Sequence, residues 1–477
     1  MRKISHTGDY NKRKIVRMNL RIFRKKTDCI VFAMLALIFG YFTFFHDVME
    51  LGDSFQYLNQ MVSREPVYAL LLKLLTGIFG ENYGFPLVLI QNVLALVSTY
   101  WLYIRLTELF RLPKLFEWAA LVFLLAPHVI TPIAARSGMI ITNSVMTEGI
   151  TVSLYYVWMG MMLTILLGKY GEKETKAILL SGALAWILTM TRGQFLVCIA
   201  GWLLVNGFVF LMKKDYKKIL FLLVGVLVMM GAKSYLTKAY HLAESDLFVA
   251  TTSGQPMMLA NILYLSDAED GADIEDERLR QAYENMVRLV DEAQLSIRYG
   301  EGGIIEMAQF HEYGHEPINF DIIDPEIEAV VGEVNGVTSQ DYEYLLYLID
   351  GYASEIIGAV LPNILPEFVQ NYFVIASLGF VRSSAVDRSV LPIYALLMYI
   401  VAIVLAAVLL KKDLKSNSAY FMMFTLILIC GNVFGTSIMI ECISRYMIYN
   451  LPFFYIAGMA MLTELWKRKK GIKEDGI

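Results

Sequence analysis

The sequence predicts an all-α polytopic membrane protein with about ten transmembrane helices. Fifty-seven per cent of the 477 residues are hydrophobic and the mean hydropathy is +0.52, which is far too apolar for an ordinary soluble protein. Several apolar runs approach the roughly 20 residues that a helix needs to cross a bilayer. Basic residues also cluster at alternate ends of these runs, as they do at the cytoplasmic ends of membrane spans.

Ten apolar runs are candidates for spanning helices, and a long polar segment divides them into two groups. Seven runs precede this segment and three follow it. The fifth and sixth runs are short and close together, so they are expected to form a tight hairpin. The ten runs comprise residues 29–45, 85–104, 115–134, 148–167, 177–191, 194–212, 219–236, 390–410, 418–438 and 447–465.

The distribution of basic residues predicts that both termini are cytoplasmic. With this orientation, the cytoplasmic tails and turns hold 28 of the 41 Lys and Arg residues. Residues 1–28 and 467–477 are then cytoplasmic tails. The basic start lacks a small-residue cleavage site, so residues 29–45 are expected to remain as an anchor. The predicted location is a plasma membrane, and the absence of cysteine from the long outer segment favours a bacterial one.

The spans divide the chain into a transmembrane core (residues 29–236), an extracytoplasmic acidic segment (residues 237–389) and the C-terminal transmembrane helices (residues 390–466). The acidic segment holds 27 acidic residues against 7 basic ones, which argues against nucleic acid as a partner. It is expected to be mainly helical, because an apolar stripe between charged faces recurs from residue 274 to residue 297.

The first loop (residues 46–84) is predicted to contain two helices that lie on the membrane surface. Asp53 follows a glycine and fits the N-cap of the first helix. Pro66 fits the first turn of the second helix, whose residues up to Leu75 are almost all apolar. Apolar residues recur at helical spacing in the first helix, at Phe55, Leu58, Met61 and Val62. Two helices that frame one carboxylate are more than a connector needs, so we expect a site here.

Two further outer positions combine charged residues with the start of an apolar run. The loop 135–148 contains Arg136 and ends in Thr147-Glu148. Helix capping by Thr147, with Glu148 in the first turn, is an alternative to a functional role for this pair. Arg192 lies at the tip of the hairpin, where a planar guanidinium suits a phosphate group. Contact with lipid head groups is the alternative for both arginines.

The last apolar run begins with a third charged motif, ECISRYMIYNLPFF, at residues 441–454. Arg445 and Tyr446 are followed, six residues after the tyrosine, by Pro452. An ion pair with Glu441, one helical turn earlier, is the alternative role for Arg445.

Together these motifs resemble the C-type (GT-C) superfamily of multi-pass glycosyltransferases, which includes protein mannosyltransferases and aminoarabinose transferases. The first loop is similar in its acidic residue Asp53, its aromatic Tyr57 and its Arg-x-Pro-x-Tyr sequence at residues 64–68. Thr147-Glu148 is similar to the second carboxylate of that superfamily, and the Arg-Tyr pair before Pro452 is similar to its late-span motif. The resemblance covers roughly residues 29–212 and 390–465 and leaves the acidic segment without a counterpart.

The resemblance implies transfer of a sugar from a polyprenyl-phosphate donor to an acceptor on the outer face of the membrane. Asp53 would be the general base, and a single base implies inversion at the anomeric carbon. Glu148, the second catalytic carboxylate, would position the acceptor or hold a divalent cation, and members of the superfamily differ in whether they need a metal. The acceptor can be a lipid, a polysaccharide or a protein. The arginines expected to bind the donor phosphate are Arg445, Arg192 and Arg136. The residues expected to bind substrate are Tyr57, Arg64, Tyr68 and Tyr446.

Two other classes of protein compete with this interpretation. His311-Glu312-Tyr313-Gly314-His315 matches the H-E-x-x-H pattern of zinc metalloproteases, so His311 and His315 are candidate metal ligands. Gly314 within the required helix and Pro317 just after it weaken this motif. A polymerase or ligase of surface polysaccharide also has ten or more spans and one large external loop, although arginines rather than acidic residues would dominate that loop.

Overall fold

The computed structural model describes residues 26–134, 139–385 and 387–471. Within these ranges the chain is helical and contains no β-strand, in agreement with the predicted all-α class; one isolated bridge joins Met49 and Ser144. Seven described helical stretches are long and apolar enough to cross a membrane, or eight if a pair bent by 115° counts as one span. These helices indicate a membrane protein.

A helix covers most of each predicted apolar run before the acidic segment. The helices of this part are α1 (Lys26–Phe45), α2 (Ser54–Leu58), α3 (Pro66–Phe79), α4 (Gly84–Phe110), α5 (Lys114–Ala134), α6 (Glu148–Leu166), α7 (Glu174–Thr191), α8 (Leu196–Met212) and α9 (Tyr216–Ser245). Because α5, α7 and the helix over the last predicted run (Leu451–Lys469) are not among the seven stretches that meet the length and hydropathy criteria, the total of ten spans stays a prediction.

Ten helices follow α9, and the last four lie after the acidic segment. They are α10 (Gly254–Leu263), α11 (Glu277–Glu292), α12 (Ile304–Pro317), α13 (Asp324–Asn335), α14 (Tyr342–Val360), α15 (Leu365–Arg382), α16 (Leu391–Lys412), α17 (Asn417–Ser437), α18 (Ser444–Met447) and α19 (Leu451–Lys469). The helix predicted over 274–297 is α11, which begins where Asp276 accepts a hydrogen bond from the Arg278 amide.

The described helices pack around three hydrophobic cores, the smallest of which joins the first loop and α3 to α4 and α6. The membrane helices share one core, in which α6 is central: 78% of its apolar window is buried, against 6% for α9. The acidic segment has a core of its own, built around large buried side chains such as Tyr264 and Tyr283. Since α6 is surrounded by other helices, the residue at its N-terminus is held in a fixed place.

The first loop differs in detail from the predicted pair of surface helices. The first helix, α2, ends at Leu58 instead of continuing to Val62, because Gln60 adopts a left-handed conformation with φ of 59°. Asp53 stands at the N-cap position, but its side chain turns toward arginines instead of capping α2. The second helix, α3, begins at Pro66 as expected and extends to Phe79.

Backbone and side-chain hydrogen bonds attach the first loop to the segment before α6. The Met49 amide donates to the Asn143 carbonyl at 2.8 Å, and the Val145 amide donates to the Met49 carbonyl at 2.9 Å. Behind them the buried Gln91 amide group donates to the Ser144 carbonyl and accepts a hydrogen bond from the Tyr68 hydroxyl. This polar layer fixes the first loop relative to the start of α6.

The other side of the first loop is attached to α9. Lys233 lies 2.5 Å from Glu65, and the Tyr240 hydroxyl donates to Gln60 at 2.9 Å. The buried His241 ring reaches the Arg64 carbonyl with Nε2 (3.1 Å) and the Val249 carbonyl with Nδ1 (2.9 Å). The loop is therefore held between the helix bundle and the beginning of the acidic segment.

Substitution of Gly149 tests the polar layer behind the first loop. A Cβ at this position would lie 2.0 Å from Gln91 Oε1, and Gln91 cannot move without losing its buried hydrogen bonds. We expect Gly149→Ala to lower the free energy of unfolding by about 1–3 kcal/mol. The measurement is the thermal unfolding of purified protein in detergent.

Gly458→Ala in α19 is the matched control for that substitution. A Cβ there meets no atom within 4 Å, so the helix should be unchanged or gain about 0.5–1 kcal/mol from the alanine. Equal stability of the two variants would contradict the role assigned to Gln91.

Candidate active site

Five charged side chains from four parts of the chain meet above the N-terminal end of α6. The first loop contributes Asp53 and Arg64, α6 begins with Glu148, the α7–α8 turn contributes Arg192, and α18 contributes Arg445. We call these five residues the arginine–carboxylate cluster. The structure thus brings together four of the five predicted catalytic and phosphate-binding residues. The fifth, Arg136, lies outside the described residues.

Asp53 is the carboxylate of the cluster that faces open space. Its Oδ1 lies 2.9 Å from Nη2 of Arg64 and its Oδ2 lies 3.5 Å from Nη2 of Arg445. The Arg64 guanidinium is oriented by Gln56, whose Oε1 accepts a hydrogen bond from Arg64 Nε at 2.8 Å. With 30% of its side chain exposed, Asp53 can meet a molecule that enters the cluster.

Glu148 has a different environment, because its side chain is fully buried. Its Oε1 lies 2.5 Å from Nη1 of Arg192, and the Thr147 hydroxyl donates to its Oε2 at 3.1 Å. The Thr147 hydroxyl is also 3.4 Å from Nη1 of Arg192, from which it accepts a hydrogen bond. The alternative prediction that Thr147 caps α6 through its side chain is therefore wrong: the hydroxyl binds the two charged groups.

Arg445 lies between the two carboxylates without a close bond to either one. Its nitrogen atoms are 3.5 Å from Asp53 and 3.9 Å from Glu148, and Nη2 donates to the Tyr446 hydroxyl at 3.2 Å. Within the described chain its buried Nε has no hydrogen-bond partner. The alternative ion pair with Glu441 is not formed, because Glu441 faces His315 instead.

Aromatic rings line the cluster on two sides. The Tyr446 ring lies below Arg192, with 4.3 Å from the guanidinium carbon to the ring centre, and Arg64 lies 4.9 Å above the Tyr57 ring. Burial raises the pKa of Tyr57, so its hydroxyl stays protonated at neutral pH. Tyr68 is fully buried behind Tyr57, at a ring-centre distance of 5.3 Å, so it supports the site and does not line its open side.

No pattern in the sequence singles out Gln56. Its contacts with the Ser63 hydroxyl (2.7 Å) and with Arg64 form across the turn that follows the end of α2 at Leu58, so they do not arise along one helix. Helix capping is the alternative that the sequence suggests for Thr147, whereas its observed contacts depend on Arg192, which is 45 residues away in the chain.

The H-E-x-x-H residues lie on α12 but do not form a metal centre. His311 Nε2 lies 2.8 Å from Asn261 Oδ1, and Glu312 lies 2.6 Å from Arg382. Both nitrogens of His315 are occupied, Nε2 with the Met257 carbonyl and Nδ1 with the Glu441 carboxylate. The described residues contain no group of three His, Cys, Asp or Glu side chains that can hold a metal. The geometry therefore gives no support to the zinc protease alternative.

The arginine–carboxylate cluster also fits a divalent cation poorly. Each oxygen of Asp53 faces an arginine, and the oxygens of Glu148 face Arg192 and the Thr147 hydroxyl. A cation there would replace guanidinium groups that are themselves positively charged and largely shielded from solvent. An anion fits better, because three arginines accompany only two carboxylates.

Comparison with known proteins adds no family. The chain matches no protein-family model, no curated protein and no solved structure. Any function must therefore be argued from the site itself.

The different burial of the two carboxylates predicts different effects on stability. Glu148→Gln leaves the Arg192 guanidinium buried without its closest counterion and should lower the free energy of unfolding by about 3 kcal/mol. Asp53→Asn should cost less than about 1 kcal/mol, because Asp53 is partly exposed to solvent. Thermal unfolding of both variants in detergent measures the difference. A larger loss in Asp53→Asn would reverse these assignments.

The His315–Glu441 contact predicts a dependence of stability on pH. Burial alone would lower the pKa of His315, but the Glu441 carboxylate outweighs it and raises this pKa above the usual 6.5; the reciprocal attraction lowers the pKa of Glu441 below 4.5. The charged pair is therefore complete between about pH 4.5 and 6.5. It weakens as the pH rises through the raised pKa of His315 and as it falls through the lowered pKa of Glu441.

Unfolding of wild type and His315→Gln across pH 4 to 9 checks this prediction. The other ionisable groups near the pair are His311, Glu316 and the Glu312–Arg382 contact. The stability difference between the two proteins should be largest near pH 6 and should shrink above the raised pKa. A difference that is independent of pH would show that the pair is not charged.

Proposed function

We propose that the chain is a glycosyltransferase of the GT-C type, which transfers a sugar from a polyprenyl-phosphate donor to an acceptor at the outer face of the membrane. The proposal includes ten spans, cytoplasmic termini and an extracytoplasmic acidic segment, in a bacterial plasma membrane. The motif resemblance and the arginine–carboxylate cluster support it together.

The observation that carries the proposal is the position of Arg445. A guanidinium that lies between two carboxylates, with a buried Nε that is 3.9 Å from Glu148 and makes no hydrogen bond in the described chain, can accept an additional anion. Arg192 also contacts the Tyr446 ring and faces the same Glu148 oxygen as Arg445, so it can bind the same anion. A phosphate diester of a lipid has the charge for this position, and arginine is suited to it because its planar fork bonds two oxygens at once.

The reaction then proceeds as a single displacement at the anomeric carbon. The acceptor hydroxyl attacks this carbon while Asp53 removes its proton as general base. The bond between the anomeric carbon and the phosphate oxygen breaks, and the lipid phosphate departs with the electron pair. Arg445 and Arg192 stabilise the charge that develops on this oxygen. The product glycoside has the opposite anomeric configuration, and Asp53 releases its proton to water.

Donor binding also prepares Asp53 for its role. In the free protein Arg445 is shared between Asp53 and Glu148. A phosphate that binds Arg445 weakens its attraction for Asp53, which leaves that carboxylate oxygen free to contact the acceptor hydroxyl. Arg64 remains to orient Asp53, and Tyr57 supports Arg64.

Glu148 acts as a positioning residue in this mechanism. Because it is buried and holds Arg192, it fixes one of the two phosphate ligands instead of touching the acceptor. The mechanism includes no step through a divalent cation, since the donor set of the cluster does not suit one. The acceptor, a lipid, a polysaccharide or a protein, approaches Asp53 from the open side.

The proposal predicts consumption of a prenyl-phosphate sugar by purified protein. A panel of labelled polyprenyl-phosphate hexoses and pentoses is incubated with wild type, and release of the prenyl phosphate is measured. We expect one donor to be consumed, and we expect Asp53→Asn to lower the rate by about 10²- to 10⁴-fold. Arg445→Lys should also lower the rate, because an ammonium cannot replace the planar fork.

Asp47→Asn is the matched control, because this exposed carboxylate lies in the same loop, outside the cluster. Its activity should equal that of wild type. Full activity of Asp53→Asn would contradict the base assignment, and failure to consume any donor in the presence of cell-envelope acceptors would contradict the proposed function.

A further inference from the structure

Helix α12 makes polar contacts with the loop that carries Arg445. This loop, residues 438–443, connects α17 to α18, and Arg445 is the second residue of α18. Few backbone hydrogen bonds hold its second half: the Ile443 amide donates to the Glu441 carbonyl, and the Tyr446 amide donates to the Ile443 carbonyl. The position of Arg445 must therefore depend on side chains from elsewhere.

Three polar residues of α12 supply these contacts, one directly and two through an intermediate residue. His315 lies 2.8 Å from the Glu441 carboxylate. Glu312 holds Arg382, whose Nη1 donates to the Cys442 carbonyl at 3.0 Å. His311 holds Asn261, whose amide nitrogen lies 3.5 Å from the Ile438 carbonyl. The loop residues contacted in this way are Ile438, Glu441 and Cys442, so the contacts extend from the first residue of the loop to its fifth.

We propose that the H-E-x-x-H residues of α12 form a clamp that positions Arg445 for the donor phosphate. His311, Glu312 and His315 are the residues of this α12 clamp, and they act through the 438–443 loop instead of binding a metal. The role of the clamp in donor binding rests on the proposed function of Arg445. The clamp itself is inferred only from contacts within the chain.

Both histidines of the α12 clamp and the partners of the clamp are buried, as a rigid support requires. His311 and His315 are almost completely buried, and so are Asn261, Arg382 and Glu441. The Nε2 atom of His315 lies 3.0 Å from the Met257 carbonyl while Nδ1 faces a carboxylate. Because both partners are acceptors, the ring satisfies both only when each nitrogen carries a proton.

A second set of contacts keeps Arg382 in place. Its Nη2 lies 2.7 Å from Asp387, whose carboxylate also accepts a hydrogen bond from Gln309 on α12 at 3.1 Å. The loop is closely packed against α15 as well, since a Cβ on Gly379 would lie 2.9 Å from Cys442 Sγ. The contacts with the acidic segment thus leave the 438–443 loop little freedom to move.

The clamp gives the acidic segment a role in donor binding. Glu441 precedes Arg445 by four residues, so a shift of the loop changes the distances from Arg445 to Asp53 and Glu148. Loss of the clamp should weaken binding of the donor more than it slows the chemical step, because Asp53 and Arg64 belong to a different element.

The experiment compares wild type with His315→Gln, His315→Lys and Tyr313→Gln. Lysine keeps a positive charge near Glu441, and Tyr313→Gln places the same new residue on the exposed side of the same helix. Amide hydrogen exchange of residues 438–446 is measured in detergent for all four proteins, together with the KM and kcat for the donor. Unchanged exchange in the middle of α17 shows that each variant is folded.

We expect His315→Gln to raise the exchange rate of residues 438–446 by about tenfold and to raise the donor KM by about fivefold, with kcat within about twofold of wild type. His315→Lys should restore part of both effects, and Tyr313→Gln should change neither. Exchange in His315→Gln equal to wild type would overturn the clamp. Faster exchange with an unchanged donor KM would overturn its role in positioning Arg445.

The two proposals fail in different ways. If wild type consumes no prenyl-phosphate sugar, the proposed function is wrong, and the exchange result still decides whether the clamp holds the loop. If wild type consumes a donor and His315→Gln exchanges and binds as wild type does, the function stands and the clamp is wrong.

Discussion

The burial of charge at the N-terminal end of α6 is the constraint on which the rest of the structure depends. Glu148 has no exposure to solvent, and a buried carboxylate is costly unless it is paired. Arg192 supplies the pair, and Arg445 and Asp53 extend it toward open space. Since these residues belong to separate elements, the first loop, the α7–α8 turn and the 438–443 loop must all be held in place for the cluster to exist.

The first loop and the 438–443 loop each have their own support. The first loop is attached to the helix bundle at Met49 and to α9 at Glu65 and His241. The 438–443 loop is attached to the acidic segment through the α12 clamp. The acidic segment and the membrane helices have separate hydrophobic cores, but both contribute contacts that hold one site in place. We infer that removal of the acidic segment would loosen Arg445.

Much of the fold follows from the sequence, because apolar runs of membrane length and basic turns are strong signals. The positions of Asp53, Glu148, Arg192 and Arg445 at the ends of such runs also indicated that they share one face of the protein. The contacts of Gln56 could not be predicted, because they form across the turn that follows α2 and not along one helix. The role of Thr147 and the partners of His311 and His315 could not be predicted either, since each depends on a residue distant in the chain. The three fixed positions of the H-E-x-x-H motif are typical of a zinc site. In the tertiary structure the same residues contact the 438–443 loop, directly or through one other residue.

The central claim is that the arginine–carboxylate cluster binds the phosphate of a lipid carrier. The most direct test is an experimental structure of the protein with a polyprenyl monophosphate in a lipid nanodisc. The account predicts phosphate oxygens within hydrogen-bond distance of both Arg445 and Arg192, with the prenyl chain leading into the membrane. A phosphate bound elsewhere, with Arg445 still shared between Asp53 and Glu148, would contradict it.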